Sequence, residues 1–174
     1  MATRTPKNNG VVGPFATRLG PLTGPTSDRR TIIEAIQDVE PTGGTAILDA
    51  LIELSDRLPR AEDRRSVILI SDGYDQHSHA SFEEALAAAK GAGITIYVVG
   101  IGGVAGISLK GERELKRLAN ETGGRVFFPP RSEELANVYD QLAADAQNRH
   151  LVTYTPTNTA RDGAWRAPRP APRA

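Results

Sequence analysis

The sequence predicts an α/β fold: a doubly wound, mostly parallel sheet with helices on both faces, in a Rossmann-like arrangement. From Thr45 onward, segments with helical spacing alternate with short apolar runs that are typical of strands. Two of these runs, Ser66–Ser71 and Ile94–Ile101, are apolar almost throughout, which favours strands covered on both faces. Glycine-containing turns separate the segments, as expected at helix ends.

The segments before Thr45 predict a small hairpin and a helix. Val11–Phe15 and Arg18–Leu22 are short apolar pieces among Gly, Pro and Thr, so we expect two small strands or an edge hairpin. Thr26–Asp28 then offers N-cap side chains to a helix that Pro41 would end. The apolar residues of this helix, at helical spacing, are Ile32, Ile33, Ile36 and Val39.

The second half of the chain predicts the parallel sheet and its helices. A helix is expected from Thr45 to about Leu58, closed by Pro59. Ser81 and Glu84 have the spacing of a capping box, which predicts an Ala-rich helix ending at about Lys90. The later elements are a helix from Gly111 to about Glu121, a strand at Arg125–Phe128 and a helix at Ser132–Gln147.

A length of 174 residues predicts one domain. We expect residues 1–10 to be a disordered N-terminal segment, residues 11–155 to form the domain, and residues 156–174, rich in Pro and Arg, to be a disordered tail. His150–Thr155 can add one edge strand to the domain.

The composition excludes several functions. Lys and Arg together number 21 and so do Asp and Glu, so no net charge favours binding to nucleic acid. The absence of cysteine excludes disulfides, thiolate nucleophiles and cysteine-based metal sites.

The sequence also predicts no membrane insertion, because no apolar stretch approaches the length of a membrane span. Residues 1–10 are not followed by the apolar run of a secretory signal. As written, the chain is expected to stay in the compartment where it is made, and to be exported if its true start lies upstream.

Two oxygen-bearing side chains are predicted at one edge of the sheet. Asp72 follows the strand Ser66–Ser71, and Thr45 follows Gly43 and Gly44 at the start of a helix. Ligands of open α/β sheets bind beyond the carboxyl ends of the strands, where both residues are expected. A hydroxyl and a carboxylate suit Mg²⁺ or Mn²⁺, although these two ligands alone do not make a site.

Four segments carry a resemblance to a known family: Gly43–Leu51, Val67–Gly73, Ile96–Gly102 and Leu118–Phe127. With them the chain resembles the von Willebrand factor type A domain, in the variety common in bacterial proteins, over roughly residues 11 to 155. The resemblance implies a protein-binding module of the adhesion type that is not an enzyme. It also implies a metal-ion-dependent adhesion site, in which a divalent ion joins the domain to an acidic side chain of a partner protein.

By the same resemblance, Thr45 matches the threonine ligand of the family and Asp72 its second aspartate. The family's other ligands come from an Asp-x-Ser-x-Ser motif at the end of the first, central strand, and this motif does not occur in the sequence. We therefore expect a chain that lacks that strand and the helix after it. Its metal site would be incomplete, so that Mg²⁺ or Mn²⁺ binds weakly or not at all.

Other interpretations of these residues stay open. The Thr45 hydroxyl can accept a backbone N–H bond at the helix start without metal, and Asp72 can fix the turn after its strand. Asp75 is a further candidate metal ligand. With Asp72, His77 and His79 it could serve a metal-assisted hydrolase, although a polar exposed loop is the simpler interpretation.

Two more ligand sites are possible. Gly100–Gly106 faintly resembles a dinucleotide-binding loop, which would make the protein a nucleotide-binding α/β protein or enzyme. Gly43, Gly44 and Thr45 also present backbone N–H groups at a positive helix terminus, where phosphate or Asp72 itself could bind.

Overall fold

A computed structural model describes residues 9–40, 43–58, 65–101 and 109–147. The strands are β1 (Gly10–Val12), β2 (Thr23–Thr26), β3 (Arg65–Ser71), β4 (Ile94–Gly100) and β5 (Val126–Phe127). The helices are α1 (Arg29–Gln37), α2 (Ile47–Arg57), α3 (Phe82–Gly91), α4 (Leu109–Glu121) and α5 (Leu135–Gln147). A single 3₁₀ turn at Ser132–Glu134 leads into α5.

The strands of the described residues form two separate sheets. A three-stranded parallel sheet has the order β3-β4-β5, and its register places Arg65 beside Ile94 and Ser71 beside Gly100. The antiparallel hairpin of β1 and β2 forms the second sheet. Parallel strands need crossover connections, and α3 and α4 supply them for β3-β4 and β4-β5. The predicted α/β class and parallel sheet are confirmed.

Helices pack on both faces of β4, whose seven residues are all buried. Ile96 and Val98 point to one face, where they belong to a core that also contains residues of α2, α3 and α4. Tyr97 and Val99 point to the other face, where α5 packs against them through Val138 and other side chains. As predicted from its continuous apolar run, β4 is buried on both faces.

The prediction that both faces of the strand are covered is wrong for one face of β3. Leu69 is buried, but Ile68 and Ile70 remain 50% and 43% exposed. In the parallel register these two residues lie beside Tyr97 and Val99, on the face that α5 covers. Among the described residues, Val138 and Leu142 of α5 pack against Tyr97 and Val99 of β4, whereas Ile68 and Ile70 remain largely uncovered.

The N-terminal hairpin exists, but its strands are shifted from the predicted positions. β1 is Gly10–Val12, and the second strand is Thr23–Thr26 in place of Arg18–Leu22. Phe15 and Leu19 form only a single antiparallel bridge between them. Proline lacks the N–H that a ladder requires, so Pro14 restricts regular pairing in this stretch.

Helix α1 begins as predicted, because the Asp28 carboxylate accepts a hydrogen bond from the Arg30 amide at 2.9 Å. It buries none of its residues, however. Ile33, Ile36 and Val39 are 51%, 58% and 44% exposed. Of the apolar face predicted from the sequence, Ile32 is half-buried beside Gly10 of the hairpin, whereas Ile33, Ile36 and Val39 lack a covering surface within the described residues.

The remaining elements lie close to their predicted positions. Ser81 and Glu84 form the capping box of α3 through reciprocal bonds between side chain and backbone. Helix α2 starts at Ile47, two residues after the predicted start at Thr45. The predictions at Pro41, Pro59 and His150–Thr155 lie outside the described residues, as do those for residues 1–8 and 156–174.

The close approach of α4 and β4 gives a test of this packing. Gly124 donates to the Ala119 carbonyl at 2.8 Å, and a Cβ built on it would overlap the carbonyl oxygen of Ile96. We expect Gly124→Ala to lower the free energy of unfolding by about 3 kcal/mol or more, because backbone has to move. Gly91→Ala is the matched control, since nothing lies within 4 Å of its Cβ position. Urea denaturation measures both, and equal effects of the two substitutions would contradict the packing.

Candidate functional site

The start of α2 and the loop that follows β3 lie together at the carboxyl edge of the sheet. The carbonyl oxygen of Thr45 accepts hydrogen bonds from the backbone N–H groups of Gln76 at 2.9 Å and His77 at 3.1 Å. The amide of Ala46 donates to Ala16 of the N-terminal hairpin at 2.8 Å. Thr45 and the loop that begins at Asp72 therefore share one edge, and we call residues 72–80 the edge loop.

Two side chains of the edge loop satisfy the N-terminus of α2. The Asp75 carboxylate and the Ser78 hydroxyl accept from the Leu48 amide at 3.0 and 3.1 Å, and Ser78 also accepts from the Asp49 amide at 3.2 Å. Ser78 in turn donates to Asp75 from its hydroxyl at 2.7 Å and from its amide at 3.0 Å. Helix α2 is therefore capped by a distant part of the chain, because its own N-cap residue, Ala46, has no polar side chain.

The Asp75 carboxylate therefore occupies this helix terminus. The Leu48 amide needs neither phosphate nor Asp72 as its hydrogen-bond acceptor. A carboxylate is favoured there by the helix dipole and by the open N–H groups of the first turn. An anion site at Gly43, Gly44 and Thr45 stays a prediction.

A second carboxylate ties the far end of the edge loop to α2. Asp49 accepts from the backbone N–H groups of His79 at 3.0 Å and Ala80 at 2.8 Å, and the His79 ring nitrogen Nδ1 lies 3.2 Å from it. The backbone N–H of His79, followed by that of Ala80, lowers the pKa of Asp49 below its ordinary value. The location of Asp49 in the first helical turn suggests a carboxylate that is merely solvated. In the structure it instead holds the far end of the edge loop against α2.

The two proposed metal ligands, Asp72 and Thr45, lie in the turn after β3 and just before α2. Asp72 is exposed, and its carboxylate accepts from the Tyr74 amide at 3.1 Å, which fixes the turn after β3. Gly73 makes this turn with a φ of 78° and donates to the Ser71 hydroxyl at 3.1 Å. Thr45 is half-buried and does not act as the N-cap of α2, because that position belongs to Ala46.

The His77 ring lies against the turn before α2. A Cβ on Gly44 would overlap this imidazole ring, which would then have to move aside. Gly43 next to it has a φ of 77°, a conformation that L residues rarely adopt, so glycine is favoured at this position of the turn.

The candidate metal ligands of the edge loop do not converge. Asp75 binds the N-terminus of α2, His77 lies against Gly44, and His79 contacts Asp49. Within the described ranges, no group of three or more His, Cys, Asp or Glu side chains could hold a metal ion. The carboxylates and imidazoles of the edge loop therefore do not form a metal site among themselves, and metal binding by Thr45 and Asp72 stays a prediction.

Sequence reasoning missed the role of Ser78 and treated Asp75 only as a metal ligand. The spacing Asp75-x-x-Ser78 is typical of residues that hydrogen-bond nearby backbone, and it could have indicated a capping function. What the spacing could not indicate is that the capped amide, that of Leu48, lies 27 residues earlier in the chain.

Comparison with known proteins identifies the fold. The family description "von Willebrand factor type A domain" matches residues 16–141, which is most of the chain. The chain belongs to the von Willebrand factor type A family. Such type A domains are in general interaction modules without catalytic activity.

Two solved structures share the fold of this type A domain. An aerotolerance-related membrane protein from Bacteroides fragilis has 17% sequence identity and a TM-score of 0.58, with 79% of each chain covered. The conserved hypothetical protein BatB from Bacteroides thetaiotaomicron has 22% identity and a TM-score of 0.58, with 81% of this chain and 82% of that chain covered. The comparison with curated proteins gave no match.

Two predictions concern other parts of the chain. None of the helices in the described residues is long and apolar enough to cross a membrane. Of the Gly100–Gly106 loop, only Gly100 and Ile101 are described, so the nucleotide-binding alternative lies largely outside the described residues.

We expect Asp75→Ala to destabilise the type A domain by about 1–2 kcal/mol, because the Leu48 amide and the Ser78 hydroxyl lose their shared acceptor. Asp72→Ala is the matched control, since this exposed carboxylate accepts one bond within its own turn, and its cost should stay below about 0.5 kcal/mol. Chemical denaturation at pH 7 measures both. An equal cost for the two substitutions would show that Asp75 does not cap α2.

The lowered pKa of Asp49 predicts a pH-dependent contribution to stability. The contribution is present above the ordinary carboxyl pKa of about 4 and is lost as the pH falls through the lower pKa of the folded state. We expect Asp49→Asn to cost about 1–2 kcal/mol at pH 7 and progressively less below pH 4. Glu53→Gln, at an exposed pair with Arg57, should cost below about 0.5 kcal/mol at pH 7. A cost for Asp49→Asn that is the same at pH 7 and pH 3 would contradict the role of the carboxylate.

Proposed function

We propose that this type A domain is an adhesion-type, non-catalytic module that binds another protein through the edge loop. The observation that carries the proposal is the contrast within that loop. The Asp75 carboxylate and the contacts to Asp49 fasten it to α2, while Tyr74, His77 and His79 remain exposed. A surface held in place before binding loses less conformational entropy when a partner binds.

The exposed side chains of the edge loop suit a protein partner. Tyr74 is 47% exposed, and tyrosine is enriched at protein interfaces because its ring packs while its hydroxyl stays hydrated. The side chain of His79 is 97% exposed, and His77 is exposed as well. Both rings can donate N–H groups, so we propose that the partner contributes an acidic side chain here.

We further propose that a divalent ion adds little or nothing to this binding. The support is the use of the available oxygens: Asp75 and Asp49 accept backbone N–H bonds, and Asp72 fixes a turn. If Mg²⁺ or Mn²⁺ binds, Thr45 and Asp72 are the side chains that would hold it. The ion would then supply a positive charge for the partner's carboxylate.

Calorimetric titration of Mg²⁺ and Mn²⁺ tests the metal part of the proposal. We expect no binding in the micromolar range for the unmodified chain, because no three His, Cys, Asp or Glu side chains of its described residues converge on one point. Thr45→Ala and Asp72→Ala should then leave the titration unchanged. Micromolar binding that either substitution abolishes would overturn this part and restore a metal-dependent site.

Site-directed photocrosslinking tests the protein-binding part. A photoreactive phenylalanine at Tyr74 is expected to capture one defined protein in the producing cells, and Tyr74 is exposed enough to accept it. The same group at Gly91, an exposed position at the end of α3 and thus at the opposite edge of the sheet, is the control. Equal capture from both positions would contradict recognition through the edge loop.

A further inference from the structure

The imidazole of His79 and the carboxylate of Asp49 form a close pair at the far end of the edge loop. One oxygen of Asp49, Oδ2, accepts from the backbone N–H of His79 at 3.0 Å and lies 3.2 Å from the ring nitrogen Nδ1 of the same residue. The other oxygen, Oδ1, accepts from the Ala80 amide at 2.8 Å. Two backbone groups thus hold the carboxylate in place, and the ring of His79 lies beside it.

The charge of Asp49 decides which nitrogen of the ring carries the proton. The backbone N–H of His79, followed by that of Ala80, lowers the pKa of Asp49, so this carboxylate is ionised at neutral pH. An ionised carboxylate can only accept hydrogen bonds. An unprotonated Nδ1 at 3.2 Å would place two acceptors against each other, whereas a protonated Nδ1 donates to Oδ2. The neutral ring of His79 is therefore expected to carry its proton on Nδ1.

We propose that Asp49 is a positioning residue for recognition, and that Nε2 of His79 is the atom that accepts a hydrogen bond from the partner. This inference rests on the proposed binding through the edge loop. A neutral imidazole has one donor and one acceptor nitrogen, and the contact with Asp49 uses the donor. The His79 side chain is 97% exposed, so its remaining nitrogen, Nε2, is accessible to a partner.

The two histidines of the edge loop then recognise different groups. At His79 the partner supplies a hydroxyl or an N–H group, which donates to Nε2. A carboxylate is disfavoured at that position, because it would meet the lone pair of Nε2 and the nearby negative charge of Asp49. The acidic side chain of the proposed partner therefore meets His77, the other exposed imidazole of the loop. A partner that presents two carboxylates is discriminated against by this arrangement.

Nitrogen-15 NMR of the imidazole rings tests the position of the proton in the unmodified chain. At about pH 8, where an ordinary imidazole is neutral, Nδ1 of His79 is expected to give the signal of a protonated nitrogen and Nε2 that of an unprotonated one. In Asp49→Asn the proton should shift toward Nε2, because the negative charge beside Nδ1 is gone. The signals of His77 should stay the same in both proteins. Glu53→Gln is the matched control, since it removes another carboxylate of α2 and should leave His79 unchanged.

Photocrosslinking from position 74 tests whether the partner uses Nε2. Alanine at position 79 has no acceptor, and the ammonium group of lysine can only donate, whereas the amide of glutamine also contains an acceptor oxygen. We expect His79→Ala and His79→Lys each to reduce the capture of the partner about threefold to tenfold, as the loss of one hydrogen bond does. His79→Gln should restore part of the lost capture. The yields are compared at about pH 8, where an ordinary imidazole is neutral.

Failure of this inference and failure of the proposed function give different results. A proton on Nε2 of His79 in the unmodified chain, or a tautomer that Asp49→Asn leaves unchanged, would show that Asp49 does not position the ring. Stronger capture by His79→Lys than by the unmodified chain would show that the partner presents a carboxylate at His79. Either result overturns the inference and leaves binding through the edge loop intact. The expected tautomer without any capture from position 74 would overturn the proposed function, and the role of Nε2 in recognition with it.

Discussion

The structure depends on the complete burial of β4. Its seven residues contact helices on both faces and a strand on each side, so this one strand connects the hydrophobic clusters of the domain. Buried backbone polar groups require partners, and the parallel register with β3 supplies them along the whole of one side of β4. Because that register is fixed, the carboxyl end of β3 and the edge loop after it have a defined position relative to α2.

Polar side chains of the edge loop and of α2 serve to hold these two segments together. Asp75, Ser78 and Asp49 connect the loop to the first turn of α2, where N–H groups without intrahelical acceptors favour oxygen acceptors. The oxygens that could attract a cation thus accept hydrogen bonds from the backbone. The proposed recognition therefore relies on the side chains that the loop exposes, and the chain belongs to the von Willebrand factor type A family, whose members are in general interaction modules.

Two apolar surfaces lie away from that core. Helix α1 exposes Ile33 and Ile36, and β3 exposes Ile68 and Ile70. Exposed apolar residues in contiguous patches, unlike single ones, are typical of interaction sites.

The sequence by itself determined the order and type of the elements from Asp28 to Gln147. Local signals carry this information: the capping box at Ser81 and Glu84, the continuous apolar run at β4, and the helical spacing in α5. These depend on neighbouring residues, so they can be recognised without the fold. The hairpin was placed less well, because Gly and Pro interrupt its short strands.

Only the tertiary structure decided what covers each surface and which atoms meet at the edge. The runs of β3 and β4 look alike in the sequence, yet α5 covers one and leaves Ile68 and Ile70 of the other exposed. Likewise, no local pattern shows that Asp75 caps a helix that begins much earlier in the chain, at Ile47. Burial and long-range hydrogen bonds depend on the packing of segments distant in the chain, and residue types alone do not specify it.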